Sequence, residues 1–372
     1  MRILLTSTSF PETPTDWKGL FILRMIEALA RQDGLELAAW LPPGPLPAGV
    51  KRATTPADEA WLKKLLDNGG IAHLLRHQLP QGILAATRLL WRQRQALSSN
   101  CADVFHINWL QNALAMPSNR VPALVTVLGT DMQLLRIPGV RTLLRRSFRT
   151  RPVVICPNAS WMQPELQEAF GDLAMIRFVP FGIDARWYEV ERNFESNKRE
   201  QWLCVSRLTA DKIGSLFEWT EPFFKGGQAE LHLFGPMQEQ LEIPEWVQWH
   251  GPVAPDDLRE NWFPSAQGLI TLSRHAEGRP QVILEAMASG LPIIASPLPA
   301  HDELLSDHEL GVLCSSPAET FSALQTLAES GANRAMGVRG RARMLAEAGT
   351  WEDCASRYAT LYRQLLEQTR HE

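Results

Sequence analysis

Two carboxylates eight positions apart, Glu277 and Glu285, stand in the stretch GLITLSRHAEGRPQVILEAMASGLPIIAS, residues 268–296. Gly278, Arg279 and Pro280 follow the first of them directly. Carboxylates accept hydrogen bonds from hydroxyls, and free backbone N–H groups at the start of a helix bind anions. Together they suit a ligand that carries hydroxyls next to a phosphate. Upstream, SRLTADK follows an apolar run and places Arg207 and Lys212 five positions apart. Arginine grips phosphate oxygens as a fork and lysine as a point charge. Each group also has a plainer reading. Glu277 would complement a helix dipole, Glu285 would be a solvated helical acid, and Arg207 and Lys212 would be surface charges.

These side chains meet only if the elements carrying them are adjacent. Residues 268–272 form an uncharged run of strand length, and 292–296 form a second. Between them Pro280 suits the first position of a short helix, and Gly290 suits its left-handed cap. Val282, Ile283, Ala286 and Met287 mark the helix's apolar face, which leaves Glu285 to one side. The same alternation recurs along the chain. Strand 2–7, the loop 8–19 with breakers Pro11, Pro14 and Gly19, helix 20–32 and strand 35–41 open a doubly wound sheet. A linker at 42–49 leads to a basic helical insert at 57–97. Strands are then expected at 104–108, 123–128, 153–157 and 175–179, and later at 202–205, 230–234, 247–250 and 310–314. Strands alternating with helices make a parallel sheet covered on both faces, an α/β class. No G-x-G-x-x-G follows the first strand, which argues against a dinucleotide site.

A chain of 372 residues favours two domains. Cys101, Cys156, Cys204, Cys314 and Cys354 are scattered without zinc or disulfide spacing, which predicts buried thiols in a reducing compartment. No secretory signal opens the sequence and no run reaches membrane-spanning length, so a cytoplasmic location is expected and the sequon at Asn158 carries no meaning. Residues 1–180 hold 20 Lys/Arg against 13 Asp/Glu, a balance of +7, and the remainder holds 17 against 28, a balance of −11. No nucleic-acid motif accompanies the basic half. The asymmetry points to two domains with different partners.

The string EGRPQVILEAMASGLPIIAS resembles the E-x7-E signature of retaining glycosyltransferases of the GT-B fold, family 4 (glycosyltransferases group 1). Arg207 and Lys212 match that family's R-x4-K pair, and PFGID at 180–184 resembles its interdomain connector, extended by the charged stretch 189–200. The resemblance implies two Rossmann-like, doubly wound parallel-sheet domains facing a central cleft. The expected parts are an acceptor-side domain at 1–180, a nucleotide-sugar domain at 181–350 and a helix at 351–372 crossing back to the first. It implies a metal-independent retaining hexosyltransferase. Glu277 would meet the transferred sugar, and Glu285 the ribose of the donor. Arg207 and Lys212 would neutralise the departing diphosphate, beside the backbone of Gly278, Arg279 and Pro280. Lys18-Gly19 partly matches the glycines that approach the diphosphate, though Gly19 also suits a turn. No D-x-D motif occurs, and neither metal nor cofactor is expected beyond the nucleotide-diphosphate sugar as donor. Leu128 stands before Gly129-Thr130-Asp131 where many relatives have histidine, so one sugar contact is replaced. Asp131 is expected either to meet the acceptor hydroxyl or the sugar, or to cap the turn after it. His106 and Asn108, at a strand end, are further candidates, with a satisfied structural histidine as the alternative. A non-catalytic nucleotide-sugar-binding module and an epimerase on the same fold are the competing functions.

Six basic residues and one acid lie in 61–100, and six arginines and no acid in 132–151, interleaved with Trp61, Leu62, Leu65, Leu66, Leu89, Leu90 and Trp91. This composition predicts peripheral association with the anionic inner face of a membrane, and a glycan or lipid-linked acceptor. Ordinary amphipathic helices with solvated arginines are the alternative.

Overall fold

The computed structural model describes residues 1–13, 16–193, 199–227, 229–305 and 307–371. Pro14 and residues 194–198 of the charged stretch lie outside them. The chain forms two compact units, one of Met1–Phe181 with Trp351–Glu372 and one of Gly182–Thr350.

The first unit is built on seven parallel strands, β1 Arg2–Thr6, β2 Glu36–Trp40, β3 Lys51–Arg52, β4 Val104–Asn108, β5 Ala123–Val127, β6 Val153–Pro157 and β7 Met175–Ile176. Their order is β3-β2-β1-β4-β5-β6-β7. The interior strands VFHIN, ALVTV and VVICP are buried at every position, as expected of strands covered on both faces. One face packs on helix α1, Leu20–Ala30, and on the C-terminal helix Trp351–His371, through Ile22, Ile26, Leu29, Tyr358 and Tyr362. The opposite face packs Phe105, Ile107, Val125, Phe148 and Phe170. Gly19 caps α1 with φ 69°, and a Cβ there would lie 2.7 Å from the backbone nitrogen of Phe10. A turn this close admits glycine alone.

The expected linker 42–49 is followed by the two-residue edge strand β3, which lacks an apolar run to announce it. The basic insert becomes three helices, α2 Pro56–Asp67, α3 Gly70–His77 and α4 Leu79–Ser99. Thr55 and Asp58 form a reciprocal capping box at the start of α2. Asn68 and Gly69 separate α2 from α3, which Gly69 caps with φ 80° and Gly70 opens with φ 78°.

The second unit holds six parallel strands, β8 Glu200–Val205, β9 Ala229–Phe234, β10 Val247–Trp249, β11 Ala266–Thr271, β12 Ile293–Ala295 and β13 Val312–Leu313. The order β10-β9-β8-β11-β12-β13 makes β8 and β11 the pair at which the winding reverses. Gly214, with φ 56°, sits so close to β11 that a Cβ would fall 2.0 Å from the carbonyl oxygen of Leu272. That approach brings the turn after β8 against the end of β11.

Candidate functional site

In an open α/β sheet, ligands bind beyond the carboxyl ends of the strands where the winding reverses. In the second unit this is the end of β8 and β11. After β8, Thr209 caps the short helix Ala210–Ile213, accepting from the N–H of Lys212, and so fixes the turn carrying that lysine. After β11, the loop through Ser273 leads to the helix Gln281–Ala288, with Pro280 as its cap and not its first residue. Gly290 ends the helix with φ 74°, as its position in the sequence requires.

The two turns meet in an ion pair between Lys212 Nζ and Glu277 Oε1, whose side chains are only 13% and 16% exposed. Arg207 is half-buried nearby, with Nη1 3.5 Å from Gln238 Oε1. The charges of Lys212 and Arg207 both act on His275, and those of Lys212 and Glu277 both act on His301. Burial is the main cause holding both imidazoles below the ordinary histidine range, and the neighbouring lysine adds to it. His275 and His301 escaped the sequence reading, because a histidine in a loop or early in a helix carries no spacing of its own. His301 Nδ1 lies 2.8 Å from the carbonyl oxygen of Ser296, which makes Nδ1 the protonated nitrogen of the neutral ring. Glu285 is half-buried on the helix Gln281–Ala288. The site thus offers two cations and an acid at one sheet edge, with a helix opening from it.

Arg279 is expected to offer its backbone to the donor, and its side chain has a separate, structural use. Its side chain is 1% exposed, with Nη1 3.0 Å from Glu303 Oε1 and Nη2 paired with Glu347. It braces the helices Pro299–Leu305 and Ser330–Glu347 against the loop, and its guanidinium is not presented to a ligand.

The candidates of the first unit are also interior. His106 is fully buried, with Nδ1 2.6 Å from Tyr362 Oη and Nε2 2.8 Å from Thr126 Oγ1, and burial drives its pKa down to about 3. This is the satisfied structural histidine of the alternative reading. Asp131 is 2% exposed and accepts hydrogen bonds from the N–H groups of Leu128 and Leu110, at 2.9 and 3.0 Å. Burial raises its pKa to about 6, opposed by those backbone donors. It therefore ties the end of β5 to the turn after β4, and the cap of its own 3₁₀ turn is Gly129. Asn108 is buried too, its Nδ2 donating to the carbonyl of Thr6 at 3.2 Å.

The turn that Asp131 and Asn108 hold contains Trp109, a residue with no motif to mark it. Its φ of 68° is the single positive value at a non-glycine among the described residues. Such a conformation costs on the order of 1–3 kcal/mol and persists only where its surroundings enforce it.

Residues 199–330 match the family model described as glycosyl transferases group 1. A GDP-mannose-dependent alpha-(1-6)-phosphatidylinositol monomannoside mannosyltransferase of Mycobacterium tuberculosis is 23% identical over 282 residues, 68% of this chain and 73% of that protein. A sucrose-phosphate synthase from Thermosynechococcus elongatus has a similar structure, with TM-score 0.71, 16% identity, and 99% of this chain and 100% of that chain covered. Anabaena HepE in complex with UDP gives TM-score 0.67 and 14% identity, covering 98% and 100% of the two chains. Residues 199–330 thus match a glycosyl transferases group 1 domain, and the chain as a whole has the GT-B fold of these neighbours.

Proposed function

We propose that this chain transfers a hexose from a nucleotide-diphosphate sugar, with retention of configuration and without a metal ion, to a glycan or lipid-linked acceptor. The observation that supports this best is the meeting of Lys212 and Glu277, with Arg207 near, at the reversal point of the second sheet. Lys212 and Arg207 take up the charge that develops on the leaving diphosphate, the role a metal fills elsewhere. Glu277, released from Lys212 as the diphosphate arrives, accepts hydroxyls of the transferred sugar. Glu285 holds the ribose, and the backbone of Gly278 and the turn beyond it lies against the phosphates.

The mannosyltransferase relative is described as GDP-mannose-dependent and as acting on a phosphatidylinositol mannoside, and HepE structures hold UDP, glucose or UDP-glucose. GDP- and UDP-sugars therefore head the list of donors, and a lipid-linked acceptor fits the basic, apolar helices of the first unit. No helix among the described residues is long and apolar enough to cross a membrane. We place the chain in the cytoplasm, held at the inner membrane face by that unit.

The test is a thermal-shift screen against GDP-, UDP-, ADP- and TDP-sugars, since a ligand bound by the folded state raises its stability by mass action. The binding donor is then used for product analysis by NMR in the presence of EDTA. An α-linked donor should yield an α-linked product. Inverted product, or activity restored only by a divalent ion, overturns the mechanism.

A further inference from the structure

Side chains alternate along β4, with Val104 in the core beneath α1 and the C-terminal helix, and Phe105 and Ile107 in the core on the opposite face. Continued alternation would send residue 109 to the side of Phe105 and Ile107. Trp109 packs instead against the first core, edge-on to Phe21 of α1 with ring centroids 6.1 Å apart. The positive φ makes this reversal.

The turn is held from four directions. Trp109 N donates to the carbonyl of Thr126 at 3.0 Å, and the Trp109 carbonyl accepts from Asn112 N at 3.0 Å. Leu110 N donates to Asp131 Oδ2 at 3.0 Å, and Asn112 Nδ2 donates to the carbonyl of Asn108 at 2.7 Å. A bulky residue avoids this backbone region, and filling a core does not require it. The indole is half-buried and stands just beyond the end of β4, where β1 and β4 mark the reversal of the first sheet. That edge is where an open α/β sheet takes its ligand.

We propose that the indole of Trp109 is the platform on which a pyranose ring of the acceptor stacks. This rests on the glycosyl-transfer reading for the identity of the ligand. A pyranose presents a flat face of C–H groups, and an indole offers a large rigid apolar face with a polar N–H at its rim. The surrounding amides and Asp131 act as positioning residues, because they fix the turn and not the sugar.

The experiment is fluorine NMR of the full chain labelled with fluorotryptophan. The Trp109 signal is identified among those of the 13 tryptophans by its loss in Trp109→Phe. Methyl α-glucoside, methyl α-mannoside, methyl α-galactoside and methyl N-acetylglucosaminide are titrated in, with GDP and UDP as separate arms. The Trp109 signal should move saturably with at least one pyranoside and stay still with either nucleotide. Pyranoside binding followed by saturation transfer should survive in Trp109→Phe and fall about tenfold or more in Trp109→Leu, a loss of ~1.4 kcal/mol. Should the leucine variant not fold, Trp109→Gly accepts the same φ and should show the same loss. A Trp109 signal that no pyranoside moves, or a leucine variant that binds like the parent, overturns the proposal. Movement of that signal in a chain that binds neither nucleotide would instead sink the donor-site reading and leave the platform standing.

Discussion

Lys212 and Glu277 lie 65 residues apart and are joined by an ion pair across the two strands at which the second sheet reverses. Each would be a poorly exposed lone charge without the other. In the proposed reaction a diphosphate would compete with Glu277 for the lysine, so donor binding and the release of the Glu277 carboxylate would become one event. The two glutamates then have separable effects. Glu277→Gln should lower turnover, and Glu285→Gln should weaken donor affinity. Hydrogen bonds to charged groups are worth about 1.5–3 kcal/mol, so each loss should be tenfold or more. Glu277→Gln leaves Lys212, 13% exposed, without this partner and should also lower stability, so the melting temperature of each variant is measured alongside its kinetics. Steady-state kinetics and donor titration separate the effects, and full transfer by the double variant would remove both residues from the mechanism.

The side chain of Arg279 should matter for stability and not for donor recognition. Replacing it with methionine removes the cation between Glu303 and Glu347, 13% and 20% exposed, while Glu347 keeps Arg343. Breaking a buried pair in this way costs about 3–5 kcal/mol, while removing all three charges restores much of it. Denaturant midpoints of Arg279→Met, and of the same change with Glu303→Gln and Glu347→Gln, measure this. A methionine variant of normal stability that no longer binds donor would return Arg279 to the donor site.

His106 and Asp131 act on acid stability in opposite directions. His106 falls from 6.5 to about 3 on folding, so the unfolded chain takes up its proton first, and stability is lost as pH drops from 6.5 toward 3. Asp131 rises from 3.8 to about 6, so its contribution is fully present below 3.8 and is lost as pH climbs through 6. Between pH 6 and 3.8 the two nearly cancel. Removing one exposes the other. Relative to the parent, Asp131→Asn should melt more steeply in acid, and His106→Gln should be less sensitive, by a few kcal/mol over this range. Melting temperature against pH for the three proteins decides it. Parallel profiles would show that neither group titrates with folding.

If the first unit docks on a membrane, the docking element should be the pair α3 and α4 and not the arginines of 132–151. Arg145 pairs with Asp172, Arg141 with Glu168, and Arg151 is buried against backbone carbonyls. Leu79, Ile83, Leu84 and Trp91 are instead 58%, 54%, 70% and 54% exposed. No Asp or Glu occurs from residue 68 to 102. Apolar groups flanked by cations suit an anionic interface, although Arg92 is paired with Asp58 and Arg94 donates to the carbonyl of Met116. Flotation with anionic vesicles should show salt-sensitive binding that falls when Leu79, Ile83 and Leu84 become serine. A chain that stays unbound at low salt points to a soluble acceptor.

Whatever depends on near neighbours was legible in the sequence. The apolar runs at β1, β4, β5, β6 and β11, and the breakers around the helix Gln281–Ala288, declare themselves through period and turn chemistry within a few residues. The two-residue strand β3 has no such run and went unread. The candidate acids and cations were legible as well, because their spacing is a local property. Their partners were not. Arg279 stands inside the motif, yet its charge is taken by Glu303 and Glu347, which only packing brings to it. His106 could be a ligand contact until Tyr362, 256 residues on, closes over its ring. The positive φ of Trp109 is invisible to propensity, since it is imposed by hydrogen bonds to Thr126 and around Asp131 that exist only when β4 and β5 lie side by side. Sequence fixes what a residue can do, and tertiary structure chooses among those uses, because burial and pairing are properties of neighbours distant in the chain.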